Sequence, residues 1–141
     1  MTAGPAVIDT NVVVSGLLTS LAASPTVRIL DGMLAGRFRF LLSVELLAEY
    51  RAVLLRPKIR QRHGLSVAEV DVLLTEIAAN GAVLEVEPAA GGARRGDDHL
   101  WRILEAAPSA VLVTGDRRLV ETPRAGTRAL SPRAFVELIG G

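Results

Sequence analysis

Cysteine is absent from the 141 residues of the chain, and only five residues are aromatic. Without cysteine the chain forms no disulfide, thiolate zinc site or iron–sulfur cluster, and it carries no cysteine nucleophile. Because half of the residues are nevertheless apolar, the core must be built mainly from aliphatic side chains, which is typical of parallel strands covered by helices. The length predicts a single domain over residues 1–141.

Long apolar runs are also missing. The runs that occur are far shorter than the roughly 20 residues that span a bilayer, and the N-terminal residues lack the basic segment of a secretory signal. We therefore expect a cytoplasmic protein with no membrane contact. A phosphate-binding glycine-rich motif and the surroundings of a nucleophilic serine are absent too, which argues against nucleotide-cofactor and serine-hydrolase roles.

The chain lacks an excess of either charge, because 16 Lys and Arg residues face 15 Asp and Glu residues and leave a net charge of +1. Any attraction to a polyanion must therefore be local. Between residues 51 and 63 the chain carries five Lys and Arg residues and no acid. Such a run is a solvated face, a contact for an acidic partner segment or a set of phosphate contacts. The candidate substrate-binding residues are Arg56, Lys58, Arg60 and Arg62, with Arg117 as a further candidate.

Helix and strand signals alternate along the chain. The helices are predicted to begin after Ser24, Ser43, Ser66 and Ser131 and at Asp97. Ser66 and Glu69 form a capping box, and Pro57 is expected to end the helix that begins after Ser43. The predicted strands cover residues 6–9, 38–42, 82–86 and 110–114. This alternation predicts an α/β fold with a parallel sheet.

Two acids lie at the ends of predicted strands. Asp9 closes the first strand, and Asp116 follows the strand at 110–114. One such acid is usually a helix cap or a solvated loop residue. Two acids at the carboxyl ends of two strands indicate a functional site, because open parallel sheets bind their ligands beyond these ends.

Further acids are predicted to join this pair. On the helix after Ser43, Glu49 borders the apolar stripe, whereas Glu45 is expected to be more solvated. Asp97 and Asp98 begin a later helix, where Asp97 is expected to be the cap and Asp98, in the first turn, could point into the same crevice. Carboxylates gathered in a cleft repel one another unless a cation neutralises them, and Mg²⁺ or Mn²⁺ prefers such oxygen ligands.

The two histidines, His63 and His99, are too few and too far apart in sequence to predict a histidine-based metal site. His99 is expected to be solvated or loosely packed. Trp101, at helical spacing, is expected in the core or at an interface.

Five short motifs occur in order along nearly the whole chain. They are Val7-Ile8-Asp9-Thr10-Asn11, the segment 43–49 followed by Arg56-Pro57-Lys58, Asp97-Asp98, Thr114-Gly115-Asp116 and Ser131-Pro132-Arg133-Ala134-Phe135. No single motif is specific, but the ordered set resembles the PIN domain. The nearest resemblance is to the toxin components of bacterial and archaeal toxin–antitoxin modules, similar to VapC toxins.

The resemblance implies a three-layer α/β/α sandwich around a central parallel sheet and a Mg²⁺- or Mn²⁺-dependent ribonuclease site. It also implies RNA as substrate, an antitoxin protein as partner and a homodimer. Carried over position by position, the catalytic and metal-binding acids are Asp9, Glu49, Asp98 and Asp116, with Asp97 as an alternative third acid. The supporting polar residues are Asn11 and Thr114.

Two other functions are compatible with the residues. Asp9 could accept a phosphoryl group, as in receiver domains or haloacid dehalogenase-like phosphatases, although Asn11 stands where an Asp-x-Asp motif would have its second acid. Alternatively, the chain could be a non-catalytic module that binds RNA or protein. The presence of all four acids argues against this last reading.

Overall fold

The computed structural model of the chain describes residues 4–86, 98–123 and 126–140, and the side chain of Asp98 is outside this description. Five strands and eight helices lie within these residues. The strands are β1 (Ala6–Ile8), β2 (Leu41–Leu42), β3 (Ala82–Val83), β4 (Val111–Val113) and β5 (Arg128–Leu130). The helices are α1 (Thr10–Leu18), α2 (Pro25–Ala35), α3 (Val44–Leu54), α4 (Pro57–His63), α5 (Val67–Asn80), α6 (Asp98–Ala106), α7 (Arg117–Glu121) and α8 (Pro132–Leu138).

All strand pairs are parallel. β4 lies between β1 and β5, and β2 pairs with β3. A parallel bridge between Ala6 and Phe40, with the Ala6 amide 3.0 Å from the Arg39 carbonyl oxygen, joins the two groups in the order β3-β2-β1-β4-β5. Every residue of β1 and β4 is buried, so both faces of the sheet centre are covered. This is the predicted α/β sandwich with a central parallel sheet.

Local signals fixed most helix starts correctly. The Ser43 hydroxyl accepts a hydrogen bond from the Leu46 amide at 3.0 Å, and Ser131 caps α8 in the same way. Both hydrogen bonds of the predicted capping box at Ser66 are present. Ser24 precedes α2 as predicted, but its hydroxyl does not cap the helix and lies 3.2 Å from that of Thr26.

The prediction for Pro57 was incomplete. α3 ends at Leu54, as the proline indicated, but Pro57 is itself the first residue of α4. Proline suits this position because its fixed φ is helical and a first-turn amide has no intrahelical partner. The part of the basic run that carries Lys58, Arg60 and Arg62 therefore forms a separate short helix with no buried residue, Arg56 precedes that helix, and Arg51 lies in α3.

Two predicted strands are shorter than expected. The strand predicted at 38–42 is limited to β2 (Leu41–Leu42), because Phe40 makes only an isolated bridge to Ala6 and residues 38–39 are not paired as a strand. Ser43 turns the chain into α3 directly after Leu42, so β3 has no partner beyond it. The predicted strand at 82–86 is thus limited to Ala82–Val83, both exposed at the edge of the sheet. The short elements α7 and β5 have no clear sequence signal and were not predicted.

Helix α1 was not predicted either, because its sequence is rich in β-branched valine and lacks a clear 3.6-residue period. Its close packing on α2 explains its formation. At Gly16 the two helices approach so closely that a Cβ atom would lie 2.6 Å from the Thr26 carbonyl oxygen and 2.9 Å from the Leu30 Cβ. In the described part of the chain, no helix is both long and apolar enough to cross a bilayer.

We expect Gly16→Ala to lower the free energy of unfolding by about 1–3 kcal/mol, because the added methyl group forces α1 away from α2. Alanine otherwise favours a helix over glycine by about 1 kcal/mol. Urea denaturation measures the change, and Ala48→Gly on the exposed face of α3 calibrates the helix preference alone. A Gly16→Ala protein more stable than the parent would contradict this close approach.

Candidate active site

A cavity of about 570 Å³ opens beyond the carboxyl ends of β1 and β4, and Asp9, Glu49 and Asp116 all line it. From β1 the chain adds β2 and β3 on one side and later returns to add β4 and β5 on the other. The cavity therefore lies at the switch point of the sheet, where ligands of such folds bind. Glu49 reaches it from α3.

Asp9 is held by side chains rather than used as a helix cap. It occupies the N-cap position of α1 but makes no capping hydrogen bond. Its Oδ2 accepts from the Thr114 hydroxyl at 2.7 Å and from the Asn11 amide nitrogen at 3.3 Å. Only 8% of the residue is exposed. The helix-cap alternative that the sequence left open is thus wrong for Asp9.

Asn11 and Thr114 connect the segments that follow β1 and β4. The side-chain oxygen of Asn11, Oδ1, accepts a hydrogen bond from the Gly115 backbone amide at 3.0 Å. The hydroxyl of the fully buried Thr114 accepts one from the Asp116 backbone amide at 3.0 Å. Each of the two side chains therefore contacts both Asp9 and the turn that carries Asp116. This network orients two acids relative to each other.

Asp116 is both a helix cap and a cavity residue. Its Oδ1 accepts from the Arg118 amide at 3.0 Å at the start of α7, and the Arg118 Nε lies 3.6 Å from the same oxygen. The Arg118 side chain is 90% exposed, so this ion pair is well solvated and weak. The other carboxylate oxygen, Oδ2, takes no part in these two contacts.

Glu49 is held from two sides. The buried Thr10 hydroxyl donates to its Oε2, and the His99 Nε2 lies 3.3 Å from its Oε1. One third of the Glu49 side chain remains exposed, whereas only 10% of the His99 side chain does. The expectation of a solvated or loosely packed His99 was therefore wrong, because α6 packs against α3 and β1.

Thr10 and His99 are the site residues that sequence reasoning missed. Thr10 directly follows Asp9 and shows no pattern of its own, and its partner Glu49 is 39 positions away. A buried histidine beside a carboxylate likewise leaves no local signature. Neither ring nitrogen of His99 has a partner with hydrogen-bond geometry among the described residues.

Tyr50 ties α3 to the end of β1. Its buried hydroxyl donates to the Ile8 carbonyl oxygen at 2.5 Å, one residue before Asp9. Burial raises the pKa of the phenol well above its usual range, and the negative charges of Asp9 and Glu49 raise it further. Because Tyr50 follows Glu49 and Ile8 precedes Asp9, this hydrogen bond restrains the distance between Asp9 and Glu49.

The structure brings only part of the predicted basic set to the cavity. Arg56 and Arg62 line it. Lys58 and Arg60 lie on other faces of α4, and the Arg60 Nε donates to the Leu65 carbonyl oxygen at 3.2 Å. Arg117, the first residue of α7, is exposed and does not line the cavity.

The third predicted acid, Asp98, lies at the start of a helix near Glu49. Asp98 is the first residue of α6, and His99 brings that turn of the helix beside Glu49. The side chain of Asp98 and the whole of Asp97 lie outside the described residues.

A divalent cation suits the donors that are described. Asp9, Glu49 and Asp116 offer oxygen ligands only, and the first two are held by neighbouring side chains, which is the donor chemistry that Mg²⁺ and Mn²⁺ prefer. Over residues 4–86, 98–123 and 126–140, however, no three His, Asp or Glu residues are close enough to form a metal site.

Comparison with known families decides the broader class. A profile of the PIN domain matches residues 5–118, a range that includes every predicted acid of the site. The chain belongs to the PIN domain family. PIN domains are typically nucleases that use divalent metal ions, which supports a hydrolase in general terms. A comparison with curated protein sequences finds no match.

Tyr50 provides a direct test of the packing around this PIN site, because it is the one tyrosine of the chain. We expect no ionisation step near pH 10, the usual phenol value, when the absorbance of the folded protein is titrated in EDTA. The stability that the neutral phenol contributes is fully present below pH 10 and is lost as the pH rises through the raised pKa. Absorbance should therefore rise only at higher pH, together with unfolding.

The control for this titration is the protein in concentrated guanidinium chloride, which should show the ordinary step near pH 10. An ordinary step in the folded protein, with unchanged circular dichroism, would show that the phenol is solvated and that the Tyr50–Ile8 hydrogen bond is absent.

Proposed function

We propose that this PIN domain is a Mg²⁺- or Mn²⁺-dependent endoribonuclease that hydrolyses phosphodiester bonds of RNA. The observation that carries the proposal is the state of Asp9. This nearly buried carboxylate is oriented by Thr114 and Asn11, does not cap its helix, and shares a cavity with Glu49 and Asp116. A cation bound in this cavity would offset the repulsion between the carboxylates that line it.

In this proposal the ion is held by Asp9, Glu49, Asp98 and Asp116, with Asp97 as the alternative third ligand. A bound ion supplies an activated water and offsets the charge that develops on the phosphate oxygens. Thr114 and Asn11 direct Oδ2 of Asp9, and Thr10 with His99 restricts the rotamers of Glu49. These neighbours reduce the motion of the ligands and so favour a defined site.

Basic residues near the cavity support a polyanionic substrate. Arg56 and Arg62 line the cavity, where their guanidinium groups can contact a phosphodiester chain bound there. Lys58, Arg60 and Arg117 are exposed outside the cavity, and we assign them to more distant phosphates of the substrate. The net charge of the chain is only +1, so attraction to a polyanion must come from local groups of bases such as these.

The function is tested with Asp9→Asn, which removes the charge and keeps the shape. We expect cleavage of unstructured RNA in Mg²⁺ or Mn²⁺ to fall by about 100-fold or more, the order of loss seen when a transition-state contact is removed. EDTA should abolish cleavage by the parent protein. Gel analysis of end-labelled structured and unstructured RNAs measures both effects.

Asp31→Asn is the matched control, because Asp31 is an exposed acid on α2 that does not line the cavity. It should cleave like the parent. A folded Asp9→Asn protein with full activity, or parent activity that survives EDTA, would refute the metal-dependent ribonuclease. Complete inactivity of the parent on all RNAs would favour the non-catalytic binding module.

The resemblance to toxin components supports a biological role as the toxin of a toxin–antitoxin module. In that role the protein acts on cytoplasmic RNA, is inhibited by an antitoxin protein and forms a homodimer. Large apolar side chains remain exposed at Leu21 and Val44, at 71% and 74%. Burial of exposed apolar side chains in a contact with a protein partner is favourable.

The homodimer is the part of this role that can be tested on the isolated chain. Sedimentation velocity from low to high micromolar concentration should show a dimer at the upper end, because partner binding covers exposed apolar surface. A strict monomer throughout that range would contradict self-association.

A further inference from the structure

His99 buries two nitrogen atoms beside the acids of the cavity. Its side chain is only 10% exposed, and neither Nδ1 nor Nε2 has a hydrogen-bond partner among the described residues. Buried polar atoms of folded proteins are nearly always paired, and an unpaired one indicates a function or a bound water or ion. The ring is held in place because α6 packs against both α3 and β1.

The distance between His99 and Glu49 is that of two ligands on one ion. The His99 Nε2 lies 3.3 Å from the Glu49 Oε1, yet the two atoms lack hydrogen-bond geometry. Two donors that each lie about 2.1 Å from an ion, at an angle of about 90–110°, are about 3.0–3.4 Å from each other. The other oxygen of Glu49, Oε2, accepts from Thr10, so Oε1 is the oxygen that faces His99.

A protonated His99 paired with Glu49 is the competing interpretation. An imidazolium ring has two N–H donors, and neither nitrogen of His99 has an acceptor in hydrogen-bond geometry among the described residues. A neutral ring has a single N–H group, and its other nitrogen carries a lone pair. If Nε2 carries the lone pair, it faces the lone pairs of Oε1, and a cation bound to both atoms removes that repulsion.

We propose that His99 is a nitrogen ligand of the ion that Glu49 helps to hold, and that it makes the site select transition ions such as Mn²⁺ over Mg²⁺. Imidazole suits first-row transition ions, whereas Mg²⁺ is bound through oxygen. The acids that the PIN resemblance implies supply oxygen only, so the nitrogen is an addition to them. This inference rests on the proposed metal-dependent function and deepens it by naming the ion.

The surroundings of the pair allow an ion to bind there. Two protein donors are enough to begin such a site, because ions of this class keep several bound waters. One third of the Glu49 side chain is exposed, and Glu49 lines the cavity, which gives an ion access to the pair. Asp9 and Asp116 line the same cavity and add negative charge that attracts a cation.

The first test compares three ions in one variant. His99→Gln removes the lone pair of the ring nitrogen and keeps a polar side chain of similar length. We expect it to raise the Kd for Mn²⁺ about 10-fold or more, the order of loss seen when the surroundings of a metal are altered. The Kd for Co²⁺ should rise further, because Co²⁺ stands above Mn²⁺ in the affinity order, and that for Mg²⁺ by less than about threefold. Isothermal titration calorimetry without RNA measures all three.

His63→Gln is the matched control, because His63 is the other histidine of the chain and both of its nitrogens are used. Its Nε2 lies 2.8 Å from the Leu54 carbonyl oxygen, and its Nδ1 accepts from the Leu65 amide at 2.9 Å. This variant should leave the three Kd values unchanged. If His99 only orients Glu49, His99→Gln should weaken all three ions by the same factor, and that result would overturn the proposal. An unchanged Kd for Mn²⁺ would overturn it as well.

A second measurement needs no substitution. Mn²⁺ bound to the parent protein should show electron spin echo modulation from a directly bound nitrogen, and labelling the protein with ¹⁵N-histidine should change that modulation. The signal should persist in His63→Gln and disappear in His99→Gln. A parent complex with Mn²⁺ that shows no coupling to a histidine nitrogen would overturn the proposal, whether or not His99→Gln folds.

These outcomes are separable from failure of the ribonuclease itself, because neither measurement requires RNA. Mn²⁺ coupled to His99 in a protein that cleaves no RNA would refute the enzyme and leave the nitrogen ligand. Metal-dependent cleavage that is lost in Asp9→Asn, without any coupling of Mn²⁺ to a histidine, would do the reverse. A parent protein that binds none of the three ions would refute both.

Discussion

The parallel pairing of β1 with β4 is the constraint on which the site depends. With Ile8 opposite Val113, the next residues are Asp9 and Thr114, and the Asp9 amide is 2.9 Å from the Val113 carbonyl oxygen. The register thus brings a hydroxyl donor against a carboxylate that are 105 positions apart in the chain. A shift of one residue would turn every side chain of the strand to the other face and destroy this contact.

Much of this arrangement could be read from the sequence because its signals are local. Short apolar runs followed by Asp9 and Asp116 predicted strands whose acids lie at one edge of the sheet. Caps at Ser43, Ser66 and Ser131 defined helices to within a few residues. The position of Glu49 beside the apolar stripe of its helix followed from helical geometry, and the structure has it lining the cavity.

What escaped prediction depends on contacts between distant segments. Helix α1 has a sequence typical of a strand and is helical because Gly16 allows close packing on α2. The His99 side chain is only 10% exposed because α6 packs against α3, and the sequence of α6 alone does not indicate that contact. The sequence also could not show which bases of the run at 51–63 line the cavity. Charge alone does not distinguish Arg56 and Arg62, which line it, from Lys58 and Arg60, which do not.

The break between α3 and α4 at Pro57 divides the cavity wall into a part that folding restricts and a part that it does not. Helix α3 contributes Leu46, Tyr50 and Leu54 to the core, so its sequence is restricted by folding. Helix α4 buries no residue, and substitutions on it cost little stability. Substitutions on α4 can therefore change the wall of the cavity while the core residues of α3 and the hydrogen bonds that hold Asp9 and Glu49 stay the same.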